Sequence, residues 1–271
     1  LNPPPNTAWL WTENGFTAAG SVPLTDRGFR YGMSVFESFP LRKGVPFFLR
    51  QHLDRLEKSA AQVGFKTALP SRDKVEKLLR EVPFGGFARI YVTAGDGDVY
   101  RAAERCRIFV FVEPREPSAL VACKLARHPQ PHAPAFAGLK TANYWPNIAA
   151  LQTAKSAGFD EALLFNADRK LISACMANVF VVRDGKINTP ALDCGARRGV
   201  VREWVAQRRS VQECTLADDD LLHAEEIFLT NSWLGILPAA SLDARSLPSR
   251  AVAAALRDEY ETSIQWHFPS S

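Results

Sequence analysis

Lys140 stands in GLKTANYW, between apolar and aromatic residues. If that setting desolvates the amine, its neutral form can attack an aldehyde. The other reading is a surface lysine on a loop. Arg55, in HLDRL, offers a planar fork of donors that suits a phosphate or carboxylate. It could equally pair with Asp54 or Glu57 on a helix surface. Arg89 enters the apolar run ARIYV, where a charge needs a partner, a pocket or a sheet edge. Residues 195–203, GARRGVVRE, look like a turn feeding a helix. Free N–H groups there would seat an anion, with Gly199 permitting close approach, or the turn is an ordinary cap. Thr230-Asn231-Ser232 adds hydroxyl and amide donors just past a strand. Asn178 most simply caps or turns the backbone before its strand. Cys175 has no histidine near it in sequence, so it reads as a thiol without catalytic use. Spacing alone gives candidates and no mechanism.

The elements that must position these residues follow from periodicity. Asn14-Gly15 marks a hairpin between strands at 9–16 and 22–24. Ser34–Phe39 alternates as a strand, and Phe47–Leu49 reads as a short one. Over Gln51–Val63 the residues Leu53, Leu56, Ala60 and Val63 form one stripe ended by Gly64, which predicts a helix; Arg72–Val82 repeats the pattern. Strands are expected at 88–93, 106–112, 120–125, 162–165, 178–182, 186–188 and 226–230. Helices are expected at 148–157, 199–208 and 249–260. The resulting domains are 1–115, a proline-rich segment 116–138, and 139–271, each of the outer two an α+β unit.

Composition excludes several classes. The chain has 271 residues, 46% apolar and 10% aromatic, enough surface to bury a core rather than remain disordered. Net charge is +4 with basic residues in isolated pairs, which argues against nucleic acid and suits a small anionic substrate. No apolar run is long enough for a membrane span. The first residues lack a secretory pattern. Five scattered cysteines, without CxxC or a His/Cys cluster, predict free thiols in a reducing cytoplasm and no metal site.

Six blocks in order resemble the class IV pyridoxal-phosphate enzymes, which include branched-chain aminotransferases, D-amino-acid aminotransferases and 4-amino-4-deoxychorismate lyases. They are DRGFRYGMSVFESF, RQHLDRLEKSA, GLKTANYW, GFDEALLFNADRKLISACMANVFVV, GARRGVVR and AEEIFLTNSWLGILP. The resemblance implies the two-domain α+β fold type IV of D-amino-acid aminotransferase, a pyridoxal 5′-phosphate cofactor at the domain junction, and a homodimer. Its substrate would be small, with an amino group and a carboxylate. Lys140 would form the aldimine and shuttle protons, and Arg55 would bind the phosphate. Gly199, Val200 and Val201, with Asn231 and Ser232, would complete the phosphate cup. Tyr144 would reach the cofactor ring or its phenolic oxygen. Tyr31, Phe36, Arg89 and Trp233 would line the substrate side.

The chain departs from the family pattern at several of these positions. Val201 replaces a frequent threonine, Phe36 a tyrosine of the D-amino-acid enzymes, and Ala94 a common arginine. Tyr144 lies one residue closer to the lysine than in branched-chain enzymes. Ser173 replaces the glutamate that keeps the pyridine nitrogen protonated, and Asp168 on the preceding turn is the sequence's possible substitute. A hydroxyl cannot hold that cation as a carboxylate does, which moves the expectation from transamination toward elimination. Chain length and TNSWLGILP look most like the lyases. The reading is therefore a lyase releasing pyruvate to give 4-aminobenzoate. The alternatives are a class IV aminotransferase acting on a branched-chain or D-amino acid, and a divergent, weakly active or inactive cofactor-binding homologue.

Overall fold

The structure is a computed structural model that describes residues 7–116, 118–132 and 136–265. Residues 117 and 133–135 of the proline-rich segment lie outside the described residues. The chain divides into two compact units. Residues 139–143 group with the N-terminal unit, and 118–138 with the C-terminal one.

The first unit comprises β1 (Ala8–Thr12), β2 (Gly15–Ala18), α1 (Arg27–Tyr31), β3 (Ser34–Arg42), β4 (Val45–Pro46), α2 (Leu49–Gln62), α3 (Arg72–Arg80), β5 (Gly86–Thr93) and β6 (Arg107–Pro114). Its strands form one antiparallel sheet in the order β2-β1-β6-β5-β3-β4. Alternation sorts the strand residues onto two faces. Val35, Phe39, Ile90, Val92, Val110 and Val112 share a core with Leu53, Leu56, Val75 and Leu79 of α2 and α3. The opposite face carries Phe36, Arg89, Tyr91, Phe109 and Phe111. An apolar groove of about 420 Å³ lies against this second face, lined by Phe29, Ser34, Tyr91, Phe109 and Phe111 among others.

Local chemistry sets the boundaries. Asp26 caps α1 by accepting from the Gly28 N–H at 2.7 Å. Arg27 is buried, and its guanidinium donates to the carbonyls of Ala94, Gly95, Asp98 and Arg101, so one side chain pins the loop after β5. The hairpin at Asn14-Gly15 forms, but residues 22–24 make no strand; Pro23 has no N–H to give a ladder. Phe47–Leu49 is not a strand either. Phe48 turns left-handed, with φ 52°, and Leu49 already begins the buried stripe of α2.

The second unit comprises β7 (Cys123–Arg127), α4 (Trp145–Ser156), β8 (Glu161–Phe165), β9 (Leu171–Ala174), β10 (Asn178–Arg183), β11 (Lys186–Pro190), α5 (Val200–Ala206), β12 (Val211–Cys214), α6 (Asp218–Leu222), β13 (Glu226–Asn231), β14 (Gly235–Leu242), β15 (Arg245–Ser246) and α7 (Ala251–Gln265). The mixed sheet runs β12-β11-β10-β13-β14-β7-β8-β9, with β15 on β14. Its central strands are buried along nearly their whole length, which is why they read as continuous apolar runs. This α+β architecture is the expected fold class.

Candidate active site

Within the first unit, residues 140–142 run antiparallel beside the start of β3. Phe36 N–H donates to the Lys140 carbonyl and Ala142 N–H to the Ser34 carbonyl, both at 2.9 Å, and Val35 pairs with Thr141. This register sets Lys140 opposite Phe36, and its Nζ lies 4.1 Å from the Phe36 ring centroid. Phe36 in turn stacks on Tyr91, with centroids 4.9 Å apart and planes 13° apart. The lysine amine therefore stands over an aromatic floor. Tyr31 is exposed at the end of α1, under the Arg30 guanidinium. Gly32 follows with φ 67°, and its carbonyl accepts from Asn143 Nδ2.

Arg55 pairs with neither Asp54 nor Glu57. Its Nε and Nη2 each donate at 2.6 Å to the carboxylate of Glu37, which also meets His52 Nδ1 at 2.7 Å. Glu37 and His52 are fully buried, while Arg55 keeps a fifth of its side chain exposed. Burial alone would raise the Glu37 pKa, but the Arg55 charge and the hydrogen bonds from His52 and Arg55 override it and hold the pKa at about 2. Burial pushes the His52 pKa down against the pull of Glu37. The ionised carboxylate thus grips the guanidinium at two donors while the imidazole braces the carboxylate.

Sequence reasoning missed Glu37 and His52 as parts of this cluster. The available signal was register. In SVFESF, Val35 and Phe39 face the core, so Glu37 between them places a charge there, and a buried charge requires a partner. Arg89 sits on β5 opposite Ser38 of β3, ion-paired to Glu113 and close over the rings of Phe87 and Phe111.

Within the second unit, Asn178 opens β10 and donates from Nδ2 to the Arg197 carbonyl at 2.7 Å. Gly199 caps α5, and a Cβ there would fall 2.0 Å from Asn178 Oδ1, so the turn packs against Asn178 too closely for any side chain. Val200 and Val201 form the buried first turn of α5. Tyr144 caps α4, and its hydroxyl accepts from Arg197 Nη1 at 3.0 Å.

Thr230 lies on β13 directly opposite Asn178. Asn231 is occupied at both ends of its amide. Oδ1 accepts from Trp233 N–H at 2.9 Å and Leu234 N–H at 2.6 Å, and Nδ2 donates to the Met176 carbonyl at 3.2 Å. It closes the corner that carries Ser232 and Trp233.

Ser173 is half-buried on β9, paired with Leu164. The two carboxylates nearest in sequence do not take its place. Asp168 is exposed in the β8–β9 turn. Glu161 is buried, and its oxygens accept from the N–H groups of Ala162, Cys175 and Met176, so it braces the β9–β10 turn; burial raises its pKa. Burial also raises the Cys175 pKa, next to Glu161, which leaves a poor nucleophile. Among the described residues no group of acids, histidines and cysteines could hold a metal ion.

One further atom bears on the cofactor. The Thr230 hydroxyl is buried and finds no hydrogen-bond partner among the described residues. A buried unpaired hydroxyl costs about 1–3 kcal/mol, so a ligand oxygen is a fitting complement. Within the first unit, an amine over an aromatic floor and a clamped arginine are groups that suit an aldehyde and a phosphate.

The model of the family described as "Amino-transferase class IV" matches residues 34–242. The chain belongs to the class IV aminotransferase family. A Methanocaldococcus jannaschii protein provisionally named a branched-chain-amino-acid aminotransferase is 26% identical over 247 residues, covering 85% of this chain and 86% of that protein. An aminodeoxychorismate lyase of Bacillus subtilis is 27% identical over 235 residues, covering 80% of each. The solved 4-amino-4-deoxychorismate lyase of Pseudomonas aeruginosa superposes with a TM-score of 0.79 at 26% identity, over 93% of this chain and 97% of that one. The class IV aminotransferase described here is thus a fold type IV enzyme that uses pyridoxal phosphate. Transferases and lyases both stand among its relatives.

Proposed function

We propose that this enzyme is a lyase that cleaves 4-amino-4-deoxychorismate to 4-aminobenzoate and pyruvate. The observation that carries the reading is Ser173. With Glu161 spent on backbone N–H groups and Asp168 out on an exposed turn, the position expected to face the pyridine nitrogen presents a hydroxyl. Such a partner favours elimination over amino transfer. The lyases among the relatives and the Asn231 corner of TNSWLGILP support the same choice.

Bound pyridoxal phosphate supplies the electron sink for bond cleavage next to the substrate amine. Lys140 carries the cofactor. Its amine would take the proton from the substrate's amine-bearing carbon and hand a proton to the departing enolpyruvate, so that pyruvate leaves as the ring becomes aromatic. A base already at that carbon needs no second group. Arg55 and the Gly199–Val201 turn would hold the phosphate, with Ser232 contributing at the β13 corner that the Asn231 amide closes. Tyr144 and Ser173 would contact the cofactor ring. Tyr31, Phe36 and Trp233 line the substrate side. Arg89 faces a substrate carboxylate in competition with Glu113.

We further place the enzyme in the reducing cytoplasm as a homodimer. The first placement is supported by five cysteines without a disulfide. The second is supported by exposed Val22 and Phe29, which line the apolar groove of the first unit.

The branched-chain and D-alanine aminotransferases among the relatives favour a second reading, amino transfer. The test incubates loaded enzyme with 4-amino-4-deoxychorismate and, separately, with branched-chain and D-amino acids, each with and without a 2-oxo acid. The lyase reading expects equal amounts of 4-aminobenzoate and pyruvate without an acceptor. Amino transfer that depends on the 2-oxo acid would replace it with the second reading. No turnover of any substrate would leave the divergent homologue.

A further inference from the structure

Arg197 has no part in the reaction as set out above, yet it is held from both ends. Its carbonyl accepts from Asn178 Nδ2 at 2.7 Å and from Arg202 Nη1 at 3.5 Å. Arg202 is itself buried and tied to the Pro190 carbonyl at 2.9 Å, so the backbone of Arg197 is fixed to the sheet. The side chain runs the other way and reaches Tyr144. Nη1 donates to the hydroxyl at 3.0 Å, while the guanidinium carbon stays 5.8 Å from the ring centroid. The hydrogen bond rather than stacking therefore sets the relative orientation.

A guanidinium carries donors only, so the Tyr144 oxygen must accept from it. The one phenolic proton is then turned toward a different acceptor. A cation on the oxygen also makes that proton a stronger donor. His132 senses the Arg197 charge: burial, then His128 and Arg197, push its pKa down, so it is neutral at mildly alkaline pH and adds no positive charge beside Arg197.

We propose that Arg197 is a positioning residue for the cofactor: it fixes the Tyr144 hydroxyl as a donor to the phenolic oxygen of pyridoxal phosphate and strengthens that donation. The proposal rests on the reading of Tyr144 as a cofactor contact. It assigns a task to the first arginine of GARRGVVR, whose neighbouring Gly199 and Val201 were the residues read for phosphate.

The test is spectroscopic, on cofactor-loaded wild type, Arg197→Ala, Arg197→Lys, Tyr144→Phe and the Arg197→Ala/Tyr144→Phe double variant, at one mildly alkaline pH. Donation to the phenolic oxygen drains the negative charge that otherwise keeps a proton on the neighbouring nitrogen. Loss of the donor should then raise the protonated band near ~410–430 nm relative to the shorter-wavelength band by about threefold, the worth of one hydrogen bond. Arg197→Ala and Tyr144→Phe should shift this ratio in the same direction, the double variant should match Tyr144→Phe alone, and Arg197→Lys should recover part of the wild-type ratio. A ratio unchanged in both Arg197 variants overturns the proposal, and so does a change that adds to that of Tyr144→Phe. Borohydride fixation on the same samples separates the two levels. If Lys140 captures the cofactor while Tyr144→Phe leaves the spectrum unaltered, the Arg197 proposal fails and the lysine assignment stands. If Lys140 captures nothing, the proposed function falls and the proposal with it.

Discussion

At the residue scale the arrangement around Glu37 does most to explain how a surface arginine becomes a fixed donor. The carboxylate receives two hydrogen bonds from Arg55 and one contact from His52, in a site that water does not reach. Glu37→Gln keeps the shape and removes the charge. We expect a loss of about 3 kcal/mol in urea unfolding and a several-fold weaker hold on the cofactor by equilibrium titration. Arg55→Lys should show the second effect with little of the first, because a lysine cannot grip the carboxylate bidentately.

The pH dependence of stability follows from the same groups. Glu37 has its pKa lowered from 4.5 to about 2, so its contribution is fully present above 4.5 and is lost as pH falls toward 2. His52 is lowered from 6.5, so the unfolded chain takes up a proton that the folded one refuses, and stability declines as pH falls below 6.5. Unfolding free energy should therefore drop in two stages on acidification, and His52→Gln should shrink the upper stage, leaving the part that His128 and His132 contribute. A single stage confined to low pH in wild type would contradict the assignment.

At the element scale, the turn before α5 leaves no room for a side chain at Gly199. Gly199→Ala would drive a methyl into Asn178 Oδ1, break the bond to the Arg197 carbonyl and cost about 1–3 kcal/mol, with weaker cofactor binding; thermal unfolding and titration measure both. The sequence made this turn legible, because a glycine ahead of an apolar helical stripe is a local signal. The α2 stripe and the buried runs of β8, β10 and β13 were legible for the same reason.

What stayed hidden depends on contacts distant in sequence. The ladder of β14 includes Pro238 and small residues, so its strand pattern is weak until β13 and β7 flank it. Arg55 gave no sign that its partner lay 18 residues earlier on β3, and Asn231 looked like a free amide although both ends are bound. Phe47–Leu49 failed because three apolar residues suit a strand or the start of a helix equally, and Leu53 and Leu56 decide for the helix.

At the scale of the whole molecule, the family and the reaction separate. Collinear blocks and the matching fold establish a class IV aminotransferase, yet the same scaffold carries both transferases and lyases. The proposed division rests on one side chain. Ser173→Glu should restore a carboxylate on β9 and raise amino transfer relative to pyruvate release, read as the ratio of the two rates on one preparation. The dimer is testable separately. Phe29→Glu puts a charge on an exposed aromatic beside the apolar groove and should shift the light-scattering mass toward the monomer.

Every one of these roles presupposes that Lys140 is the residue that carries the cofactor. The direct measurement is borohydride reduction of the loaded enzyme followed by peptide mass mapping. The account predicts the reduced cofactor on the peptide containing Lys140 and no fixation in Lys140→Ala. A reduced adduct on a different lysine, or undiminished fixation in the variant, would contradict it.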